Sequence, residues 1–296
     1  MIFFHRAIKK LKIPALGSLL LAGLFLFSAC DSFSSALQPL APGHLRVHYI
    51  DVGQGDCILL QTDQAALLID GGSSKYGSMV TDYIKLQGIN ELDAVIGTHP
   101  HEDHIGGLIA VLNTLPVKNV YIPNISHTSK TFEDFVAAIN ASGAKRIQTK
   151  AGVKLDLEDL HGEFLGPAGA YEGDLNNNSA VFKLTHETIV FLFTGDAEAE
   201  AEADLIRQGR LEAHILKVAH HGSRSSCTEG FLRAVSPQYA IVSCGKDNSY
   251  GHPHEETINR LSWYGVGIYR TDEQGAIIFE SDGNKLTANK APWRTR

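Results

Sequence analysis

Cysteine is scarce in this chain of 296 residues: the four are Cys30, Cys57, Cys227 and Cys244, and no two stand in a Cys-x-x-Cys pair. That spacing argues against a structural zinc knuckle, and so few thiols do not make a dense disulfide framework. Cys57 and Cys244 sit beside apolar, strand-like runs and read as buried free thiols. Basic excess is missing too. Lys and Arg number 26 against 33 Asp and Glu, a formal net charge of −7. This argues against a protein that coats nucleic acid through many phosphate contacts, yet leaves room for a site that grips one phosphate at a time. Long apolar runs are missing after the leader, where no stretch approaches the ~20 residues of a membrane span.

What is present begins with that leader. His5, Arg6, Lys9, Lys10 and Lys12 make a basic start, residues 13–27 are apolar with small residues among them, and Ser28-Ala29-Cys30 follows. A basic front, a short apolar stretch and a small-residue end describe a secretion signal rather than a spanning helix. Small residues directly before a cysteine resemble the lipobox of bacterial lipoproteins, with Phe27 where an aliphatic residue is usual. The resemblance implies a signal peptide over residues 1–29, lipidation of Cys30, and an extracytoplasmic protein anchored in the membrane of the cell envelope; plain secretion is the alternative. Residues 30–44 are rich in Ser, Ala and Pro and read as a flexible tether, and residues 45–296 as one catalytic domain.

Within that domain strands and helices interleave. Residues 45–51, 57–62 and 66–70 read as three short strands with Gly-rich separators, 76–86 as a helix, and 93–98 as a strand ending at a histidine cluster. A helix over 105–115, a strand over 117–122 and a helix over 132–139 follow, the last opened by a capping box of Thr131 and Asp134. Residues 180–184 and 188–193 read as strands, 197–208 as an acidic helix, 215–218 and 239–243 as strands, and 255–264 as a helix closed by Gly265. Residues 267–270 and 276–280 read as a last hairpin around Gln274-Gly275. The class is α/β or mixed α+β, with helix-covered sheets.

The segment His99-Pro100-His101-Glu102-Asp103-His104 carries the strongest chemical signal, three imidazoles and an Asp carboxylate within six residues, after a strand and before a helix. Imidazole and carboxylate are the donors that zinc and related divalent ions take. Residues two apart in an extended segment point the same way, so His99 and His101 can face one metal, while Asp103 and His104, at the turn into the helix, face a second. Leu67-Leu68-Ile69-Asp70-Gly71-Gly72 and Phe193-Thr194-Gly195-Asp196 are two further strands that end in aspartate.

His99-x-His101-x-Asp103-His104 resembles the signature of the metallo-β-lactamase superfamily, and the strands ending at Asp70 and Asp196 resemble its flanking motifs. The resemblance implies an αββα sandwich of two mixed sheets covered by helices. It also implies two divalent ions, zinc or manganese, bridged by Asp196 and by a hydroxide that serves as nucleophile. Asp51-Val52-Gly53-Gln54-Gly55-Asp56, Asn176-Asn177-Asn178-Ser179, Val218-Ala219-His220-His221-Gly222-Ser223 and Tyr250-Gly251-His252-Pro253 narrow it. Together they look like the soluble hydrolase domain of the ComEC/Rec2 DNA-uptake (competence) proteins, over roughly residues 45–281. The superfamily's histidine between the first cluster and the bridging aspartate has no clear counterpart. His127, His161 and His186 lie in that interval without matching context. In the DNA-uptake subfamily the place resembles Asn-Asn-x-Ser, which puts Asn178 or Ser179 there; such weak donors suit a harder ion such as manganese.

The roles implied are these. His99, His101, Asp103, His104, Asp196 and His220 hold the metals. Asp103 also belongs to the catalytic set with His221 and His252, either of which can donate to the leaving oxygen. Asp56 and Asp70 support the metal-site histidines, and Ser223 is a phosphate contact or a helix cap. The substrate implied is DNA or another phosphodiester, cleaved by an extracytoplasmic nuclease, and no protein partner is indicated. Two alternatives stand beside it: a hydrolase of small or envelope substrates such as phosphocholine esters or β-lactams, and a non-catalytic DNA-binding lipoprotein.

Overall fold

The computed structural model describes residues 39–294. The signal peptide, Cys30 and the tether up to residue 38 lie outside the described residues. Two mixed sheets lie face to face. The first has eight strands: β1 (Leu45–Tyr49), β2 (Ile58–Gln61), β3 (Ala66–Ile69), β4 (Leu92–Ile96), β5 (Val117–Pro123) and β6 (Lys145–Thr149), with β14 (Ile277–Ser281) and β15 (Leu286–Ala288) beyond β1. The second runs, in spatial order, from β13 (Gly267–Arg270) through β12 (Tyr239–Val242), β11 (Ile215–Lys217), β10 (Ile189–Phe193), β9 (Phe182–His186) and β8 (His161–Phe164) to β7 (Lys154–Asp156).

Among the described residues there are seven α-helices: α1 (Gly77–Leu86), α2 (Glu102–Thr114), α3 (Lys130–Ser142), α4 (Ala199–Gln208), α5 (Glu229–Val235), α6 (Glu255–Trp263) and α7 (Thr271–Gln274). Leu45, Val47, Tyr49, Phe164, Phe182 and Phe193 fill the space between the sheets. Val80, Ile84, Leu108 and Phe135 pack the first three helices on the outer face of the first sheet. Leu205, Phe231 and Leu261 do the same on the second. This is the αββα sandwich, and it explains why the strands read as near-continuous apolar runs: both faces of each sheet are covered.

Four local expectations are corrected. The cap of α3 is Ser129, whose hydroxyl accepts from Phe132 N at 3.3 Å, because the helix starts two residues earlier, at Lys130, and Thr131 lies inside it. Asp134 pairs with Lys130 rather than reaching back. α2 begins at Glu102, so Asp103 and His104 sit in its first turn. The last hairpin is not one: β13 pairs with β12 in the second sheet and β14 with β1 in the first. The four-residue α7 between them carries the chain across the sandwich, and the hairpin at this end is β14–β15. The short, polar strands β6, β7 and β8 showed no period-two pattern in the sequence.

The sheets deliver the site loops. β3, β4 and β5 are parallel, as are β10, β11, β12 and β13. Asp70, His99, Asp196 and His220 each lie within four residues of the C-terminal end of one of these strands, where open parallel sheets place their ligands. A close approach fixes one of these loops. Gly107 N donates to Gly72 O at 2.8 Å and Gly71 N to His104 O at 2.7 Å. A Cβ on Gly107 would stand 2.0 Å from Gly71 O, so only glycine lets α2 seat against the Asp70 loop.

Candidate metal centre

His99 lies in the bend after β4, His101 is extended at φ −71° and ψ 146° as the N-cap of α2, and His104 stands in the first turn of that helix. Asp196 ends the loop after β10, held by Ser179, whose hydroxyl accepts from Asp196 N at 3.0 Å. His220 and His221 occupy the left-handed region in succession, with φ of 49° and 52°. That is costly for residues with a Cβ and is characteristic of constrained functional loops. Gly222 follows at φ 85°, and a Cβ there would meet Pro253 at 2.6 Å.

One oxygen stands at the centre. Asp196 Oδ2 lies 3.3 Å from His104 Nε2, 3.5 Å from His221 Nε2, 3.7 Å from His99 Nε2 and 3.9 Å from His220 Nε2. Its partner Oδ1 is buried without a hydrogen bond. Two donor groups share this carboxylate: His99, His101 and Asp196, and Asp56, His104, Asp196 and His221. Asp103 Oδ2 lies 3.4 Å from His221 Nε2 and approaches the second group from the cleft. Asp56 approaches from behind. Its Oδ1 is 3.4 Å from His221 Nδ1, on the far side of the ring, and its Oδ2 forms a fully buried ion pair with Lys217 Nζ at 2.6 Å.

Tautomers make the case for a cation. His104 Nδ1 sits 2.8 Å from Asp70 Oδ2, and His221 Nδ1 3.0 Å from the carbonyl of Ser243. Both partners accept, so both Nδ1 atoms carry hydrogen and both Nε2 atoms present lone pairs, 3.3 Å apart. Two lone pairs at that distance repel unless a proton or a metal ion joins them. The titration directions agree. Burial would lower both rings, but Asp196 and Asp70 hold His104 well above its ordinary value. Asp196, Asp103 and Asp56 raise His221 to about 9. Burial would raise Asp196, yet the charges of His104 and His221 hold it far below the carboxylate range. Burial and the charge of His104 depress His99. The donor set therefore fits divalent ions of the zinc or manganese kind.

The remaining residues form the surroundings. Asp70 is completely buried, accepting from Thr98 N at 2.8 Å and Thr98 Oγ1 at 2.6 Å while it holds His104. His220 is half-buried, its Nδ1 2.7 Å from Glu198 Oε1. His252 stands above it, ring centroids 5.3 Å apart. Burial and the charges of His221, His220 and His254 lower His252 to about 4. Asn178 spends its amide on the carbonyls of Tyr171 and Asp174, each at 2.6 Å, and Ser179 lies behind Asp196. Ser223 is buried and bonded to Ser225 at 2.8 Å; the cap of α5 is Thr228. His161 lies in β8 and His186 in β9, outside the cluster, and His127 bonds Ser129 at 2.9 Å. Five residues given no role from the sequence line the same cleft: Gln54, Ser73, Lys75, Glu102 and Tyr250. Gln54, Glu102 and Tyr250 stand inside the motifs already quoted; Ser73 and Lys75 follow Asp70-Gly71-Gly72 and carry no separate signal. Cys57, Cys227 and Cys244 are buried free thiols.

An αββα sandwich whose strand ends converge histidines and aspartates on one shared carboxylate is the architecture of a metal-dependent hydrolase. Residues 50–246 match the metallo-β-lactamase superfamily, and the chain belongs to that superfamily. It is 31% identical over 262 residues to ComE operon protein 3 of Bacillus subtilis, covering 82% of this chain and 34% of that protein. It is 31% identical over 232 residues to competence protein ComA of Neisseria gonorrhoeae, covering 77% and 31%. With recombination protein 2 of Haemophilus influenzae identity is 29% over 262 residues, covering 85% and 31%. The chain thus spans about a third of the length of these relatives. Among solved structures, the metallo-β-lactamase fold protein YhfI from Bacillus subtilis superposes with a TM-score of 0.54 at 14% identity, covering 80% of this chain and 99% of that one. The diiron β-hydroxylase CmlA from Streptomyces venezuelae gives 0.52 at 12%, covering 79% and 53%. Among the described residues no helix is long and apolar enough to cross a membrane.

Proposed function

We propose that this protein is a two-metal phosphodiesterase acting on DNA at the cell envelope. The observation that carries the two-metal part is the central oxygen of Asp196, shared by both donor groups, with its second oxygen buried and free. Similarity to competence proteins supports the substrate.

His99, His101 and Asp196 would hold one ion, and Asp103, His104, His221 and Asp196 the other. The distances favour His221 over His220 for the second ion, and leave His220 in the cleft wall. When bound, such ions supply Lewis acidity toward a phosphoryl oxygen and generate hydroxide near neutral pH. The protein's own residues orient and donate. Asp70 and the Ser243 carbonyl fix the tautomers of His104 and His221, and Lys217 neutralises Asp56 behind the ring. Gln54 fixes His252: its Oε1 accepts from Gly245 N at 3.2 Å, which turns its Nε2 toward His252 Nδ1 at 3.5 Å. His252 then presents Nε2–H to the cleft. With its pKa near 4 the ring is neutral at pH 7, suited to donating a hydrogen bond to the departing oxygen rather than a proton from an imidazolium.

The leader supports an envelope location through a lipid on Cys30; Cys30→Ala is expected to release the protein from the membrane fraction. A second reading has one specific support. A cavity lined by His101, Glu172, Asp174 and Glu198 adjoins the site, and such acidic walls suit a cationic substituent, as in a phosphocholine ester.

The test is cleavage of linear single- and double-stranded DNA, with zinc or manganese, by the protein and by Asp196→Ala. Cleavage by the parent alone is expected. No cleavage of either form with both ions bound would overturn the nuclease reading and leave the small-ester one.

A further inference from the structure

The Tyr250 side chain stands out at the rim of the metal cleft. It is 64% exposed, an unusual exposure for a large ring, yet its backbone is firmly held. Asn248 Oδ1 accepts from Tyr250 N at 3.1 Å and from His252 N at 3.0 Å, and Asn248 Nδ2 donates to Gly245 O at 2.8 Å. The Tyr250 ring lies on His252, centroids 5.6 Å apart and planes within 19°, so one face is supported and the other is open. Two polar groups line the same cleft. Ser73 is 8% exposed and its hydroxyl has no hydrogen-bond partner. Lys75 is exposed on the segment that follows it. A supported open aromatic face, a buried free hydroxyl and an ammonium together match one nucleotide: a base on the ring and a phosphate on Ser73 and Lys75. The acidic cavity that shares His101 with the cleft disfavours a polyanion there, which leaves the Tyr250 and Lys75 side for the strand.

Resting on the phosphodiesterase reading, we propose that Tyr250 is a stacking platform for an unpaired nucleobase beside the scissile phosphate, and that the enzyme therefore prefers single-stranded DNA. A base inside a duplex has both faces covered by its neighbours and cannot use the platform without being unstacked. Base–aromatic stacking amounts to about 1–3 kcal/mol per base by alanine substitution, or roughly 5- to 150-fold in the affinity of the reacting complex.

The experiment compares two single strands of equal length, one with normal bases and one fully abasic, and reads both cleavage and the fluorescence of a 2-aminopurine placed along the first. Tyr250→Ala should lower kcat/KM on the base-containing strand by about 5- to 150-fold through KM, leave the abasic strand unchanged, and abolish the 2-aminopurine quenching seen with the parent. Tyr250→Trp should restore both signals. Equal loss on both strands, or no loss on either with quenching retained, would overturn the platform. If the parent cleaves neither strand but Tyr250→Ala still abolishes quenching, the nuclease reading falls and the base site stands.

Discussion

At the scale of single residues the centre is governed by which nitrogen of each imidazole faces inward. Asp70 decides this for His104, and it is completely buried, with two further hydrogen bonds from Thr98. Asp70→Ala should weaken metal binding by roughly 10- to 100-fold, measured by competition with a chelating dye. Unchanged affinity would show that the tautomer is fixed elsewhere. The cluster His99 to His104 was legible in the sequence because an extended strand end followed by a helical turn brings a two-residue and a five-residue spacing to one point. The choice between His220 and His221 was not. Adjacent residues normally point apart, but two successive left-handed residues turn both rings toward Asp196 at 3.9 and 3.5 Å, and only these distances and the hydrogen bonds from behind tell them apart. Asn177 carried no signal of its own beside Asn178 and Ser179, yet its side-chain Oδ1 accepts from Glu198 N at 3.0 Å and Ala201 N at 3.2 Å and so sets the start of α4.

At the scale of elements, the seating of α2 on the Asp70 loop depends on Gly107. Adding a methyl there forces two backbones apart, so Gly107→Ala should cost at least the 1–3 kcal/mol usual for overpacking, read from urea unfolding, and should lower metal affinity with it. A variant as stable as the parent would contradict the close approach. The central strands were legible because burial on both faces makes them apolar throughout. β6, β7 and β8 were not, since they lie toward a sheet edge and expose Lys145, Arg146, Lys154, Asp156 and His161. The false hairpin has a related origin: Gln274-Gly275 looks like a turn between two strands, and the local pattern says nothing about which sheet each strand joins.

At the scale of the whole molecule, titration couples stability to pH through a residue far from the cleft chemistry. His48 in β1 is buried and bonded to Tyr83 at 2.9 Å, and burial together with the charge of Arg46 lowers it to about 3. Unfolded, it titrates near 6.5, so between these values the unfolded chain binds more protons. Its contribution is therefore fully present above pH 6.5 and is lost as pH falls toward 3. Between pH 7 and pH 5 the folded state should lose roughly 2 kcal/mol from this group. His48→Gln should remove that part of the acid sensitivity in denaturant unfolding at the two pH values; an unaltered pH dependence would place the sensitivity elsewhere. Metal acts in the opposite sense. Because the folded chain converges the donors and the unfolded chain does not, each ion held at a hundredfold excess over its Kd should add about 2.7 kcal/mol, seen as a fall in Tm on chelation.

The central claim is that the convergence on Asp196 is a two-ion centre with His221 inside it and His220 beside it. Elemental analysis of the protein after reconstitution and desalting tests this most directly. The parent and His220→Ala are expected to retain two ions per chain, and His221→Ala one. Two ions in His221→Ala with one in His220→Ala, or no bound ion in the parent, would contradict it.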